Sequence, residues 1–273
     1  MRAMAMRWAR TGLGGALLLS VALAVAPAAL AAPLTSSPYA STSIGADLSW
    51  PNCSQSASWP AGVEFGIVGV TGGRAFTSNS CFGAEWSWAT SQPSSAGSGP
   101  ASIYMNLNAP VGSTASYAKQ GPLTCGKHDA LCTAYDYGWV AAKWAYSQAG
   151  SAVSSAAAWW LDVETGNSWS RSTAANDQVI QGAIDYLGAG GEGGSGLGLT
   201  VGVYSTNAMW NKIAGSTWKP TNGTYPVPTW YATAVSSSTS AESYCTSSYA
   251  FTGGPVWLVQ YLPGTGFDAD YAC

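Results

Sequence analysis

Asp162-Val163-Glu164 closes an apolar run, Ala156-Ala-Ala-Trp-Trp-Leu161. The run reads as a buried strand. Side chains alternate faces along a strand, so Asp162 and Glu164 point the same way with Cα atoms roughly 6.6 Å apart. Two carboxyl groups held side by side at the end of an apolar element cannot both ionise freely, because like charges disfavour each other. One protonated and one charged carboxyl is the equipment for cleaving a glycosidic bond: one group protonates the leaving oxygen and the other stabilises the positive sugar centre. A plain strand end opening into solvent would carry the same residues, so the rest of the chain has to decide.

The bulk properties narrow the field. Arg2, Arg7 and Arg10 precede an apolar stretch from Leu13 to Ala26, and Ala29-Leu30-Ala31 has the small-x-small form of a cleavage site. Residues 1–31 are therefore expected to be a signal peptide cut after Ala31, and the protein to be secreted with no membrane span afterwards. Residues 32–42 are rich in Ser, Thr and Pro and read as a flexible leader. Residues 43–273 read as a single domain with a substantial core. Three of the ten Lys and Arg precede residue 32 and all thirteen acids follow it, leaving seven positive against thirteen negative charges, a net −6. No basic cluster exists, which argues against nucleic acid and anionic membranes as partners. Six cysteines in an exported chain indicate disulfides. Of the fifteen possible pairings, Cys53–Cys81, Cys125–Cys132 and Cys245–Cys273 each close a modest local loop and are favoured. Zinc is disfavoured by a single histidine, His128, and no Cys-x-x-Cys pair.

The elements that must position the acids alternate. Strands are expected at 44–49, 65–70, 103–107, 159–164, 199–205, 229–234, 256–261 and 267–270. Helices are expected at 82–90, 134–148, 174–187 and 208–214, with part of 238–249 helical. The tract Gly188–Gly198 reads as a flexible loop. Eight strands with intervening helices predict a (β/α)8-type TIM barrel, all parallel. An open doubly wound sheet is the runner-up, but Asp47-Leu-Ser-Trp-Pro51 stands where that fold carries its Gly-rich phosphate turn.

In a strand-helix barrel reactive groups gather at the strand C-termini. That rule selects Asp47, Asp162, Glu164, Asp268 and Asp270. Glu85, Asp177, Asp185 and Glu242 fall on helical stretches and read as solvated surface. Glu64 and Glu192 precede strands, Asp129 lies in the disulfide loop, and Asp136 is expected to start a helix.

At this point a resemblance emerges. Gly45-Ala-Asp47-Leu-Ser49, Phe65-Gly-Ile-Val-Gly-Val70, Leu161-Asp-Val-Glu164, Gly202-Val-Tyr204, Pro228-Thr-Trp-Tyr-Ala232, Gln260-Tyr261 and Gly266-Phe-Asp268 occur in that order. The set resembles the family-25 glycoside hydrolases, the lysozyme-type muramidases, and their secreted actinobacterial relatives. The resemblance implies a barrel with a sugar cleft at the strand C-termini and cell-wall glycan as substrate. It implies Glu164 as general acid/base, protonated at rest, and Asp162 as the group that orients the substrate's 2-acetamido arm. Asp47 would tune the pair and Asp268 would be a further acid of the cleft. Two motifs depart from the family: Val70-Thr-Gly-Gly-Arg74 lacks the family's Glu, and Tyr104-Met-Asn106-Leu-Asn108 lacks its His.

Thirteen tryptophans follow residue 31. Trp50, Tyr104, Trp169, Tyr204, Trp230 and Tyr261 are candidate substrate-binding residues at or after strand ends, with core packing as the competing reading. Trp139, Trp144 and Trp159 read as core. Arg74 is a candidate for an anionic substrate group. A Ser-His-Asp or Cys-His enzyme is disfavoured by the place of His128 and the even cysteine count. No cofactor or metal is expected, and a monomer is. The rival to a hydrolase is a protein that grips cell-wall glycan on the same barrel without cutting it; a structural surface protein is a third reading.

Overall fold

A computed structural model describes residues 32–273 except 95, 96 and 99. The expected signal peptide lies outside the described residues. Eight strands close a barrel: β1 Ile44–Leu48, β2 Phe65–Gly69, β3 Ala101–Asn106, β4 Trp159–Asp162, β5 Val201–Ser205, β6 Thr229–Ala232, β7 Val256–Tyr261 and β8 Asp268–Ala272. Spatial order follows chain order around the ring. Five α-helices pack outside or follow the strands: α1 Phe82–Thr90, α2 Ala130–Ala149, α3 Thr173–Leu187, α4 Asn207–Ile213 and α5 Ser238–Glu242. The Gly188–Gly198 tract is not all loop: Gly190–Gly191 pairs with Gly194–Ser195 as a short ribbon.

The all-parallel (β/α)8 expectation needs correcting. β1 to β7 are parallel neighbours, but β8 runs antiparallel to both β7 and β1. The reason is chain length. Only residues 262–267 join β7 to β8, and a parallel crossover needs a dozen or more. Gly264 and Gly266, at φ +77° and +87°, let this short segment reverse. The segment after β1 is a 3₁₀ stretch, Trp50–Ser58, rather than an α-helix. The barrel is therefore a closed mixed one.

Period-two alternation sorts the strands into two faces. Val68, Ile103, Met105, Trp159, Leu161 and Val203 join the outer core with the alanines and tyrosines of α2 and the Val179–Leu187 face of α3. Phe65, Ile67, Trp160, Trp230 and Leu258 fill the inside. Each such side chain, fully buried, contributes about 1.5–3 kcal/mol relative to exposure. Trp160 packs edge-on to Trp230 at 5.7 Å and to Trp257 at 6.4 Å. The barrel is thus dry and aromatic through its lower half.

The three disulfides are the favoured ones: Cys53–Cys81, Cys125–Cys132 and Cys245–Cys273. The expected flexible leader is partly anchored instead. Tyr39 is buried, packs tilted against Phe65 with ring centroids 4.6 Å apart, and shares a 2.6 Å hydrogen bond with Ser102. Trp160 Nε1 donates to the Tyr39 hydroxyl at 3.1 Å. The polar tail was unreadable as an anchor because its single aromatic meets its partners only after the barrel closes.

Tyr39→Phe keeps the ring and leaves Trp160 Nε1 and Ser102 without that partner. The expected cost is about 1–3 kcal/mol, read as a lower urea midpoint at unchanged slope. An unchanged midpoint would show that the leader is not part of the core.

Candidate active site

The site is built at the C-terminal ends of the parallel strands. Asp47 ends β1 and Asp162 ends β4. Glu164 lies two residues further on, where Val163 N still bonds the Tyr204 carbonyl at 3.0 Å and so prolongs the extended chain. Asp268 starts β8, and because β8 runs backwards its start lies at the same barrel end, opposite Asp47 in register. All four acids line one pocket of about 140 Å³, together with Ser49, Tyr104, Tyr204, Trp230 and Gln260. The alternation argument for Asp162 and Glu164 holds: both face this pocket.

Neutral donors hold two of these acids. Gln260 Nε2 donates to Asp47 Oδ2 at 2.9 Å, and the Tyr204 hydroxyl donates to Gln260 Oε1 at 2.7 Å. Asn106, the register neighbour of Asp162, donates through Nδ2 to Asp162 Oδ2. Asn106 is itself fixed, since the Thr71 hydroxyl donates to its Oδ1 at 2.7 Å. The other Asp162 oxygen, Oδ1, is buried with no hydrogen-bond partner among the described residues. Gln260 belonged to a recognised motif, but its inward direction depends on register, as does that of Asn106.

Burial raises every carboxyl here, because a charged group loses its hydration. Asp47 is pushed up to about 7, by burial first and then by the charge of Asp268, against the Gln260 hydrogen bond. Asp162 is raised well above the usual carboxylate range, by burial and then by Glu164. Glu164 is raised by burial, and its hydrogen bond with Asp162 acts in the opposite sense. Two adjacent carboxyl groups that burial raises together cannot both ionise freely. Asp268 is raised by burial as well.

Asp270 lies one layer below. It is fully buried, raised by burial and then by Asp47, and accepts from Trp230 Nε1 at 2.8 Å. This bond sets Trp230 as the pocket floor, with Tyr204 at 4.6 Å and Tyr104 at 6.2 Å. Tyr104 lies over Gly69, where a Cβ would meet its ring at 2.5 Å. Any larger residue at 69 would displace Tyr104.

The remaining candidates are scattered. Trp50 is half exposed, beside Gly73 and outside the pocket. Arg74 is exposed on the same loop. Trp169 stands off the pocket but donates through Nε1 to the Glu164 carbonyl at 2.8 Å. Tyr261 is a correction. As the neighbour of inward Gln260 it points outward, into a cluster with Val259, Ala241 and Tyr271.

Three helical acids also depart from the solvated reading. Glu85 is fully buried and accepts from Asn79 at 2.6 Å. Asp185 is buried, with Tyr135 OH donating at 2.7 Å. Asp177 is pushed up to about 7 by burial. Asp136 does not start α2. Asp129 caps that helix, accepting from Cys132 N at 3.0 Å, while buried Asp136 accepts from Leu123 N at 3.0 Å. Asp136 clusters with Cys125 and Cys132 in a grouping that could suit a metal. Those sulfurs are bonded to each other, so they are not thiolate ligands.

Comparison with known families adds one match. The family described as Lysozyme-like protein 1 matches residues 132–253. The match runs from the first turn of α2 to the turn before β7, takes in Asp162 and Glu164, and stops short of Gln260 and Asp268. It supports a lysozyme-like family. No curated protein matches the chain.

A raised carboxyl binds its proton more tightly in the folded than in the unfolded chain, so stability falls as pH climbs from the unfolded value to the folded one. For Asp47 that window runs from 3.8 to about 7, and its neighbours act in the same direction. The protein is expected to melt at a higher temperature at pH 5 than at pH 8, and Asp47→Asn to flatten the difference. Calorimetry across that range checks it; a rising trend in wild type would contradict the burial of these acids.

Proposed function

We propose that this chain is a secreted glycoside hydrolase of the family-25 type that cleaves N-acetylated amino-sugar polymer, most of all the muramic acid linkage of the bacterial wall. One observation carries the reading: Asp162 and Glu164 line one pocket, with Asp47 and Asp268 beside them. An acetamido N–H entering that pocket would find the Asp162 carboxyl as its acceptor. The lysozyme-like match over these residues supports the same class. The three disulfides support an exported protein, since such bonds persist in oxidising compartments.

The chemistry follows from two adjacent carboxyl groups that burial raises. An N–H donated to Asp162 favours its charged form. Glu164 beside it then holds the proton and serves as the acid. Glu164 donates it to the glycosidic oxygen as that bond breaks. The acetamido oxygen attacks the anomeric carbon, and the Asp162 carboxylate balances the positive charge spreading over the acetamido arm. Glu164, now a base, takes a proton from the water that opens the cyclic intermediate. Asp47, held by Gln260, and Asp268 keep the pocket anionic and favour the positive sugar centre. Trp230 and the two tyrosines form the floor and walls on which the sugar ring rests.

The rival reading, a glycan-binding protein without turnover, draws on the missing acid after β2. It predicts retention on the wall with no products.

The decisive experiment is muropeptide release from insoluble peptidoglycan, with products resolved by mass and reducing end. Glu164→Gln should lower kcat by about a hundredfold or more and keep wall binding. Asp162→Asn should cut kcat nearly as far while KM changes little, since it acts on the transition state. The wild-type rate should trace a bell against pH, reporting an acid and a base. Products with a muramic reducing end that persist undiminished in Glu164→Gln would remove the assignment.

A further inference from the structure

The two segments that depart from the family pattern, 70–74 after β2 and 104–108 around the end of β3, meet each other beside the acid pocket. The Thr71 hydroxyl donates to Asn106 Oδ1 at 2.7 Å and accepts from Asn106 N at 2.9 Å. Four residues on, Ala75 N donates to Asn108 Oδ1 at 3.1 Å. Thr71, Asn106 and Asp162 are all buried.

The Thr71 contact decides which way the Asn106 amide faces. A side-chain amide has a donor end and an acceptor end of nearly the same shape, and a hydroxyl has one proton to give. Asn106 N–H already occupies a lone pair of the Thr71 oxygen. The hydroxyl proton goes to Oδ1, which leaves Nδ2 to donate to Asp162 Oδ2. Were the amide turned over, its oxygen would face Asp162, and only a protonated carboxyl could meet it. A donor favours the charged carboxyl and an acceptor the neutral one. Asn106 thus works against burial at Asp162, where burial is the larger effect.

Thr71 can do this because its loop is pinned at the root. Val70 N bonds the Tyr104 carbonyl at 2.9 Å, which carries the β2–β3 pairing up to the residue before Thr71. Asn79 N returns to the Val70 carbonyl at 3.2 Å, and Thr71 forms a bridge with Ser78. Asn79 Nδ2 donates to the Gly69 carbonyl at 2.7 Å and to Glu85 Oε2 at 2.6 Å, with Glu85 fully buried on α1. Both ends of the loop are held against β2 and α1.

We propose that Thr71 is a positioning residue of the acid pocket: it locks the Asn106 amide so that an N–H, and not an oxygen, faces Asp162. Its contribution to turnover rests on the hydrolase reading; its effect on Asp162 does not. The titratable groups facing Asp162 are Glu164 on the same segment, Asp47 from β1, Tyr104 from β3 and Tyr204 from β5, with Asp268 of β8 lining the same pocket. Thr71 and Asn106 are neutral, so exchanging them for neutral residues alters the partner of Asp162 and none of these charges.

Thr71→Val keeps the shape and removes the hydroxyl. The Asp162 carboxyl, labelled with carbon-13 and assigned by its loss in Asp162→Asn, should titrate at higher pH in this variant than in wild type. Thr71→Ser should bring the titration back. In an Asn106→Ala background Thr71→Val should move Asp162 no further, because its route is gone. Muropeptide release gives a second readout. In Thr71→Val kcat should fall about tenfold, the scale of one hydrogen bond to a charged group, with KM little changed and the acid limb of the pH profile moved upward. Thr71→Ala carries the same test should Thr71→Val not fold. An Asp162 titration that stays put in the folded variant, or that moves equally in the Asn106→Ala background, overturns the positioning role and leaves the hydrolase standing. A moved titration in a protein whose wild type releases nothing keeps Thr71 in its role and removes the hydrolase. Neither release nor movement removes both.

Discussion

Four carboxyl groups crowd one small pocket, and among the described residues no Lys, Arg or His lines it. That imbalance governs the rest of the site. A cation beside Asp162 or Asp47 would pull its pKa down and fix it as a permanent anion. Amide donors hold a carboxylate in place with far less effect on its charge. Asn106 and Gln260 therefore orient Asp162 and Asp47 while leaving their protons free to move. The same choice leaves burial free to raise all four acids.

The barrel supplies what the acids need. Its lower half is filled by Phe65, Trp160, Trp230 and Trp257, with Tyr39 inserted from the leader, so the acids stand on a dry aromatic floor. A low-dielectric floor strengthens every charge interaction above it. The reversed strand matters as much. If β8 ran parallel, Asp268 would fall at the far end of the barrel from Asp47. The short β7–β8 segment forces the reversal and sets the two acids opposite each other. Asp270, two residues along on the same inward face, then reaches under Asp47 and fixes the Trp230 indole.

Much of this was legible because it is local. Strand alternation placed Asp162 and Glu164 together, the apolar runs marked seven strands closely, and short loops picked out the three disulfides. What stayed hidden depends on partners distant in sequence. Tyr39 looked like part of a loose polar segment until Phe65, Ser102 and Trp160 surrounded it. Glu85 and Asp185 looked solvated because helix periodicity in Ala-rich stretches marks no sharp polar face. Tyr261 was misplaced by one residue of alternation, which is enough to move a side chain from the pocket to the outer wall. The parallel sense of β8 was assumed from the other seven, although the six-residue connection before it already excluded a crossover.

The energetics also bear on whether the barrel cuts glycan or only holds it. Burying a carboxyl with one oxygen unpaired costs about 1–3 kcal/mol, and clustering several adds repulsion wherever more than one is charged. A surface that only grips sugar has cheaper means: aromatic faces for the rings and amides for the hydroxyls, both already present in Tyr104, Tyr204, Trp230 and Gln260. Under the proposed hydrolase reading, acid-base chemistry gives the Asp162–Glu164 pair a use, because groups raised toward neutrality can donate a proton in one step and take one back in the next. Local conflicts with stability gather where a fold does work, and one such conflict lies at the C-terminal ends of β1 and β4.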